Sequence, residues 1–236
     1  MNKFIIQTSY RNLLKLTLAT ILLAAFVYSF LSNYTLPAKM NMMLIFGNVA
    51  VSPELSLFVL PVITLFVGFD ITRVIGTGFG DVLQIRLGNK KSLLDGYLFG
   101  EFVFALILEL AFFLASVFAA IFLGIKPTFV ITIKDLMLIW LQVLDIYSWL
   151  VLFTLFQLYF KKQIMTFVGG LIFCCCLFAI LKVNLPLLHH FAFLPGTELF
   201  LNSNSLISLL NNYISVVWII VEFLMIHVLL LRGDYD

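Results

Sequence analysis

Charge is what this sequence has least of. Its 14 Lys and Arg and 12 Asp and Glu side chains make up only 11% of 236 residues, whereas 63% are hydrophobic and 26 are Phe. A mean hydropathy of +1.13 excludes an ordinary soluble domain. The near-balance of signs, a formal net charge of +2, accompanies the expectation that nucleic acid is not a partner. Short segments of alternating polarity, the mark of a transmembrane barrel, are also missing. The apolar runs are continuous for roughly 18 to 28 residues, enough to cross about 30 Å of hydrocarbon as helices.

Further absences exclude chemistries. No G-x-x-x-x-G-K-[ST] occurs, so the chain carries no P-loop of its own, and the glycines of "GTGFGD" at 76–81 lack the dinucleotide-binding spacing. That stretch reads as a flexible exit from a helix. "EFLMIH" at 222–227 separates Glu222 from His227 by five positions, which is not a zinc-protease motif, and His189 and His190 are poorly placed to share a ligand. The three cysteines, Cys174, Cys175 and Cys176, are consecutive, so on a helix they point about 100° apart and cannot converge on a metal. No cysteine falls in an outer loop, which argues against disulfides. There is no internal repeat and no long linker, so a single domain is expected over 1–236.

What is present reads as an all-α polytopic membrane protein with six spans, at about 13–34, 55–75, 97–124, 135–160, 164–182 and 214–231. The first run has a long polar lead and no clear cleavage site, so it is expected to remain as a span. Within that lead, Ile6, Tyr10, Leu13 and Leu14 fall on one helical face while Lys3, Gln7, Arg11 and Lys15 step along another. This predicts an interfacial amphipathic helix that then turns into the membrane. With the N-terminus in the cytoplasm, ten basic residues lie inside and Lys39, Lys126, Lys134 and Lys182 lie outside. The positive-inside rule therefore puts both termini in the cytoplasm. Residues 183–213, broken by Pro186, Pro195 and Gly196, are too polar to span and too apolar for a solvated loop. They are expected to form a re-entrant outer region.

Four acids fall inside the expected spans: Glu101, Glu109, Asp145 and Glu222. An ionised group at mid-membrane costs at least about 2.5 kcal/mol, so such residues face protein or water. They pair helices, carry protons or line a path for a cationic substrate. Ala111, Ala115 and Ala119 share one helical face and suit close helix packing.

Six charged residues cluster between 81 and 101, in "DVLQIRLGNKKSLLDGYLFGE". Here Leu83 pairs with Leu87 and Val82 with Ile85 on a short amphipathic turn, "GNKK" breaks it, and Asn89 or Ser92 is suited to cap the next span. A small, mixed-charge, partly apolar knob beneath the membrane is a surface that a peripheral protein can grip.

The whole pattern resembles the small permease subunits of ABC-2-type exporters. The features that carry the resemblance are the amphipathic N-terminal helix, six spans, the charged "IRLGNKKSLL" between spans two and three, a re-entrant region before the last span, and a terminal "LLLRGDYD". The resemblance is to permeases of bacterial peptide or bacteriocin export and self-immunity systems. It implies a cell membrane location, a separate P-loop ATPase partner that holds ATP and Mg, a second permease subunit that is a copy or a paralogue, and no cofactor in this chain. It also implies that the loop at about 76–96 is a coupling helix. Leu83, Ile85, Arg86 and Leu87 would seat in the ATPase, with Asn89, Lys90 and Lys91 at the rim. Two other classes fit the composition: a substrate-binding subunit of another transporter, and a membrane enzyme or immunity protein that works without an ATPase. For the first, the small residues of span one, Ala19, Ala24 and Ala25, lack A-x-x-x-A spacing; for the second, no two Glu are adjacent as a Glu-Glu-x-x-x-Arg protease requires.

Overall fold

The computed structural model describes residues 2–33, 38–50, 59–65, 90–160, 163–182, 217 and 219–228, and these are mostly helical. In chain order the elements are α1 (Asn2–Ser32), β1 (Lys39–Asn41), α2 (Met42–Ala50), α3 (Lys90–Phe122), β2 (Lys126–Thr128), α4 (Ile133–Phe160) and α5 (Gln163–Lys182). The apolar helix α6 (Ile219–Val228) follows, and a further helical turn covers residues 60–65.

Three segments are apolar and long enough to cross a membrane: Leu14–Ser32, Leu98–Phe122 and Asp135–Phe156, of 19, 25 and 22 residues. Even the shortest reaches about 28 Å at 1.5 Å per residue. They match the expected first, third and fourth spans. Shorter apolar helices, Ile164–Cys176 and Ile219–Val228, fall within the expected fifth and sixth. The expected second span is described only over 59–65; the loop up to Asn89 and the outer region 183–213 lie outside the described residues. The surface is greasy, as lipid contact requires: Phe99, Leu110, Phe122, Trp140 and Ile164 are all at least half exposed. The expected interfacial helix and first span form one uninterrupted helix, α1, because no Gly or Pro interrupts 2–32.

Local chemistry fixes how α3 meets α4. Gly124 has φ +76°, its N–H donates to Ile121 O at 2.9 Å, and Ile125 N–H donates to Ala120 O at 3.0 Å. This is a Schellman stop, and glycine takes the left-handed position without a Cβ penalty. At the start of α4, Thr132 Oγ1 accepts from Asp135 N–H at 3.3 Å, and Asp135 Oδ2 accepts from Thr132 N–H at 2.7 Å. That reciprocal capping box starts the return helix. The two caps confine the reversal to ten residues or so, and α4 runs back antiparallel along α3.

Between these caps lies a feature the sequence reading did not anticipate. β1 and β2 pair in parallel, Lys39 opposite Lys126 and Asn41 opposite Thr128, with Lys126 N–H donating to Ala38 O at 2.8 Å. Asn41 extends the pairing through its side chain: Nδ2 donates to Val130 O at 3.0 Å and Oδ1 accepts from Val130 N–H at 3.3 Å. The same Oδ1 accepts from Met43 N–H at 3.2 Å and so caps α2. Three-residue strands show no readable alternation, which is why they were not legible. Because α1 and α3 both deliver their C-terminal ends to this clip, the two helices run parallel.

Their packing follows spacing. Ala19, Leu23, Val27 and Leu31 form a one-turn stripe on α1; Leu98, Ala105, Leu108, Phe112, Ala115 and Ala119 form a seam on α3, and all are buried in one core. Ala111 is buried beside that seam at 7% exposure, so the small-residue face serves close packing. α2 inserts Phe46 against Phe112 and Phe113, at ring separations of 4.9 and 5.6 Å. A second cluster joins Leu65, Trp149, Phe153 and Cys174. There Gly170 admits Leu65 and Phe153 so closely that a Cβ would lie 3.0 to 3.2 Å from them.

Candidate functional site

Polar side chains buried in this bundle sort into two kinds. Thr64 and Ser116 return their hydroxyls to carbonyls of their own helices, Pro61 O at 2.8 Å and Phe112 O at 3.0 Å, and need nothing further. Glu101, Glu109, Gln142, Ser148, Thr154 and Glu222 are buried to 5% exposure or less on α3, α4 and α6.

Two of these acids tie helices together. The Thr154 hydroxyl donates to Glu101 Oε1, and Leu150 O lies 3.1 Å from the same hydroxyl. The Ser148 hydroxyl lies between both oxygens of Glu222, at 3.2 and 3.3 Å. The Tyr147 ring meets Phe102 edge-on at 5.5 Å and Phe223 at 6.2 Å, the residues that follow Glu101 and Glu222 in sequence. Polar and aromatic contacts thus join α4 to both α3 and α6.

The Glu101–Thr154 bond joins the early part of α3 to the late part of α4, as an antiparallel pair requires. Eight residues further along α3, Glu109 lies about 12 Å deeper. Asp145 lies close enough to act on it by charge. Both lie at the centres of their apolar segments, Leu98–Phe122 and Asp135–Phe156. Gln142 is one turn from Asp145 on the same side of α4. Neither oxygen of Glu109, and neither polar atom of the Gln142 amide, has a hydrogen-bond partner. Glu109 is 4% exposed and Gln142 is 2% exposed. Leaving such groups unsatisfied costs roughly 1–3 kcal/mol each, so a fold that keeps them is keeping them for a reason.

Of the four acids singled out in the sequence, Glu101, Glu109 and Glu222 are buried in the bundle and Asp145 is partly exposed. Of the coupling residues, Lys90 and Lys91 form the first turn of α3; Leu83, Ile85, Arg86, Leu87 and Asn89 lie outside the described residues. Ser92 is inside α3 and is not its cap. His227 places Nδ1 3.1 Å from Phe223 O, a local contact. Cys174 is buried while Cys175 and Cys176 face outward, as their rotation around a helix requires. The sequence reading missed Gln142, Ser148 and Thr154. The available signal was a polar residue every three positions, at 142, 145 and 148, in an otherwise apolar helix.

No family model, no curated protein and no solved structure matches this chain.

Proposed function

We propose that this chain is the transmembrane permease subunit of an ABC-2-type exporter, moving a peptide or other amphipathic substrate out of a bacterial cell or its membrane with ATP hydrolysed by a separate P-loop subunit. The observation that carries the transport part is the polar row inside the bundle. It comprises Glu101, near the end of α3 that begins with Lys90 and Lys91, Glu222 on α6, and Glu109 and Asp145 at the centres of their apolar segments. Acids retained at that depth are expensive and belong to paths or relays more readily than to lipid-facing surfaces.

The six-span topology has support from the parallel course of α1 and α3. If each crosses once in the same sense, the chain between them must return across the membrane once, and the helical turn at 60–65, with Leu60, Ile63 and Leu65 buried, falls within the expected second span. Both termini and the 76–96 loop are then cytoplasmic, in keeping with the charge distribution. The re-entrant outer region and the seating of Leu83, Ile85, Arg86 and Leu87 in the ATPase, with Asn89, Lys90 and Lys91 at its rim, belong to the same proposal. ATP and Mg are held by the partner, and a second permease subunit completes the assembly.

The test is purification of the tagged full-length chain from its native membrane in mild detergent, with identification of what remains bound. A stoichiometric P-loop ATPase supports the reading. A chain that purifies alone or with partners lacking such a domain contradicts it.

A further inference from the structure

We infer that Glu109, Asp145 and Gln142 form a binding site for the protonated amine of an amphipathic organic cation. The inference rests on the transport reading for its physiological meaning but not for its geometry. It also narrows the substrate class from any amphipathic compound to one carrying a cationic head.

The acceptors come first. Glu109 presents two carboxyl oxygens and Gln142 one amide oxygen without a hydrogen-bond partner, all buried. Asp145 lies close enough to act on Glu109 by charge. Two acids on the packed helices α3 and α4, with an amide oxygen one turn from Asp145, offer several acceptors, and an ammonium group brings three donors and the compensating charge. An amphipathic body suits the apolar surroundings: Leu108 and Phe112, near Glu109 in α3, and Ile146, next to Asp145 in α4, are completely buried.

Depth excludes the commonest alternative source of an ammonium group. The centres of Leu98–Phe122 and Asp135–Phe156 lie about 15 Å from either interface of a 30 Å hydrocarbon core, beyond where a lipid headgroup resides. A compact metal ion is also a poor match, because among the described residues no group of three or more His, Cys, Asp and Glu is poised to hold one. The ligand that fits has an ammonium head and an apolar body small enough to enter between helices.

Dodecylammonium is a suitable probe and dodecanol, with the same chain and no charge, its control. The purified full-length protein, with whatever subunits it retains, is titrated with each in lipid nanodiscs while its thermal midpoint is followed. Saturable stabilisation by dodecylammonium and none by dodecanol is expected. Glu109→Gln should raise the concentration required about tenfold or more, as loss of a charge-assisted bond predicts. Gln142→Leu, which removes the neutral acceptor and leaves both acids, should weaken binding by a smaller factor, and it decides the matter if Glu109→Gln does not fold. Equal responses to the two probes, or wild-type titration in whichever of the two variants folds, would overturn the site. The outcomes separate the two readings. Loss of the probe response with an ATPase still copurifying removes only the cation site, whereas a selective response in a chain that never retains an ATPase removes only the exporter assignment.

Discussion

The Ser148 hydroxyl sits 3.2 and 3.3 Å from the two carboxyl oxygens of Glu222, and through this contact α4 holds α6. Both residues are buried, at 5% and 2% exposure. Ser148→Ala strands a buried acid and should lower stability by about 1–3 kcal/mol. Glu222→Gln keeps an acceptor for the hydroxyl and should cost less. Thermal unfolding in detergent measures both, and a Ser148→Ala protein as stable as wild type would mean that α6 is held by apolar packing alone.

Gly170 makes a different kind of contact. A Cβ there would lie 3.0 Å from Leu65 and 3.2 Å from Phe153. Gly170→Ala should therefore destabilise, by about 1–3 kcal/mol as overpacking does, despite alanine's better helix propensity. Adding Leu65→Ala should recover part of that loss, giving a coupling energy that a double-mutant cycle reads directly. Strictly additive effects would place the 60–65 turn away from α5.

The β1–β2 clip permits a test of topology. Lys39 and Lys126 are register partners, so cysteines at these two positions, in a chain with Cys174, Cys175 and Cys176 replaced by Ala, should crosslink. A membrane-impermeant oxidant added to intact cells should suffice if the clip is outside. A reporter fused after Lys91 or at the C-terminus should be cytoplasmic, and one near Asn202 should be outside. Crosslinking only after lysis, or a cytoplasmic reporter at Asn202, would invert the arrangement.

Much of the architecture was legible because apolar length is a strong signal. The runs that became Leu14–Ser32, Leu98–Phe122 and Asp135–Phe156 stand out in the sequence at nearly the same limits. Acids stand out just as clearly against that background, so Glu101, Glu109, Asp145 and Glu222 could be named in advance. Their partners could not, since Ser148 and Thr154 look like ordinary small residues until helix packing brings them opposite Glu222 and Glu101. The β clip was hidden for a related reason: Lys39–Asn41 and Lys126–Thr128 are too short for periodicity, and their pairing depends on two helices ending side by side. The Asn41 clamp on Val130 spans 89 positions of sequence and has no local signature.

The proposal that this chain is an ATPase-coupled permease meets its most direct test in the segment "DVLQIRLGNKKSLL", which that proposal assigns to the cytoplasm. The measurement is the amount of P-loop ATPase retained by purified wild-type protein and by the Leu83→Ala, Leu87→Ala double variant. Removing two apolar anchors from a seated helix should cost about 2 kcal/mol or more, a loss of around thirtyfold in affinity. The account predicts a retained ATPase in the wild type and its loss in the double variant, with the membrane chain still folded. Equal retention by both proteins, or no ATPase with either, would contradict it.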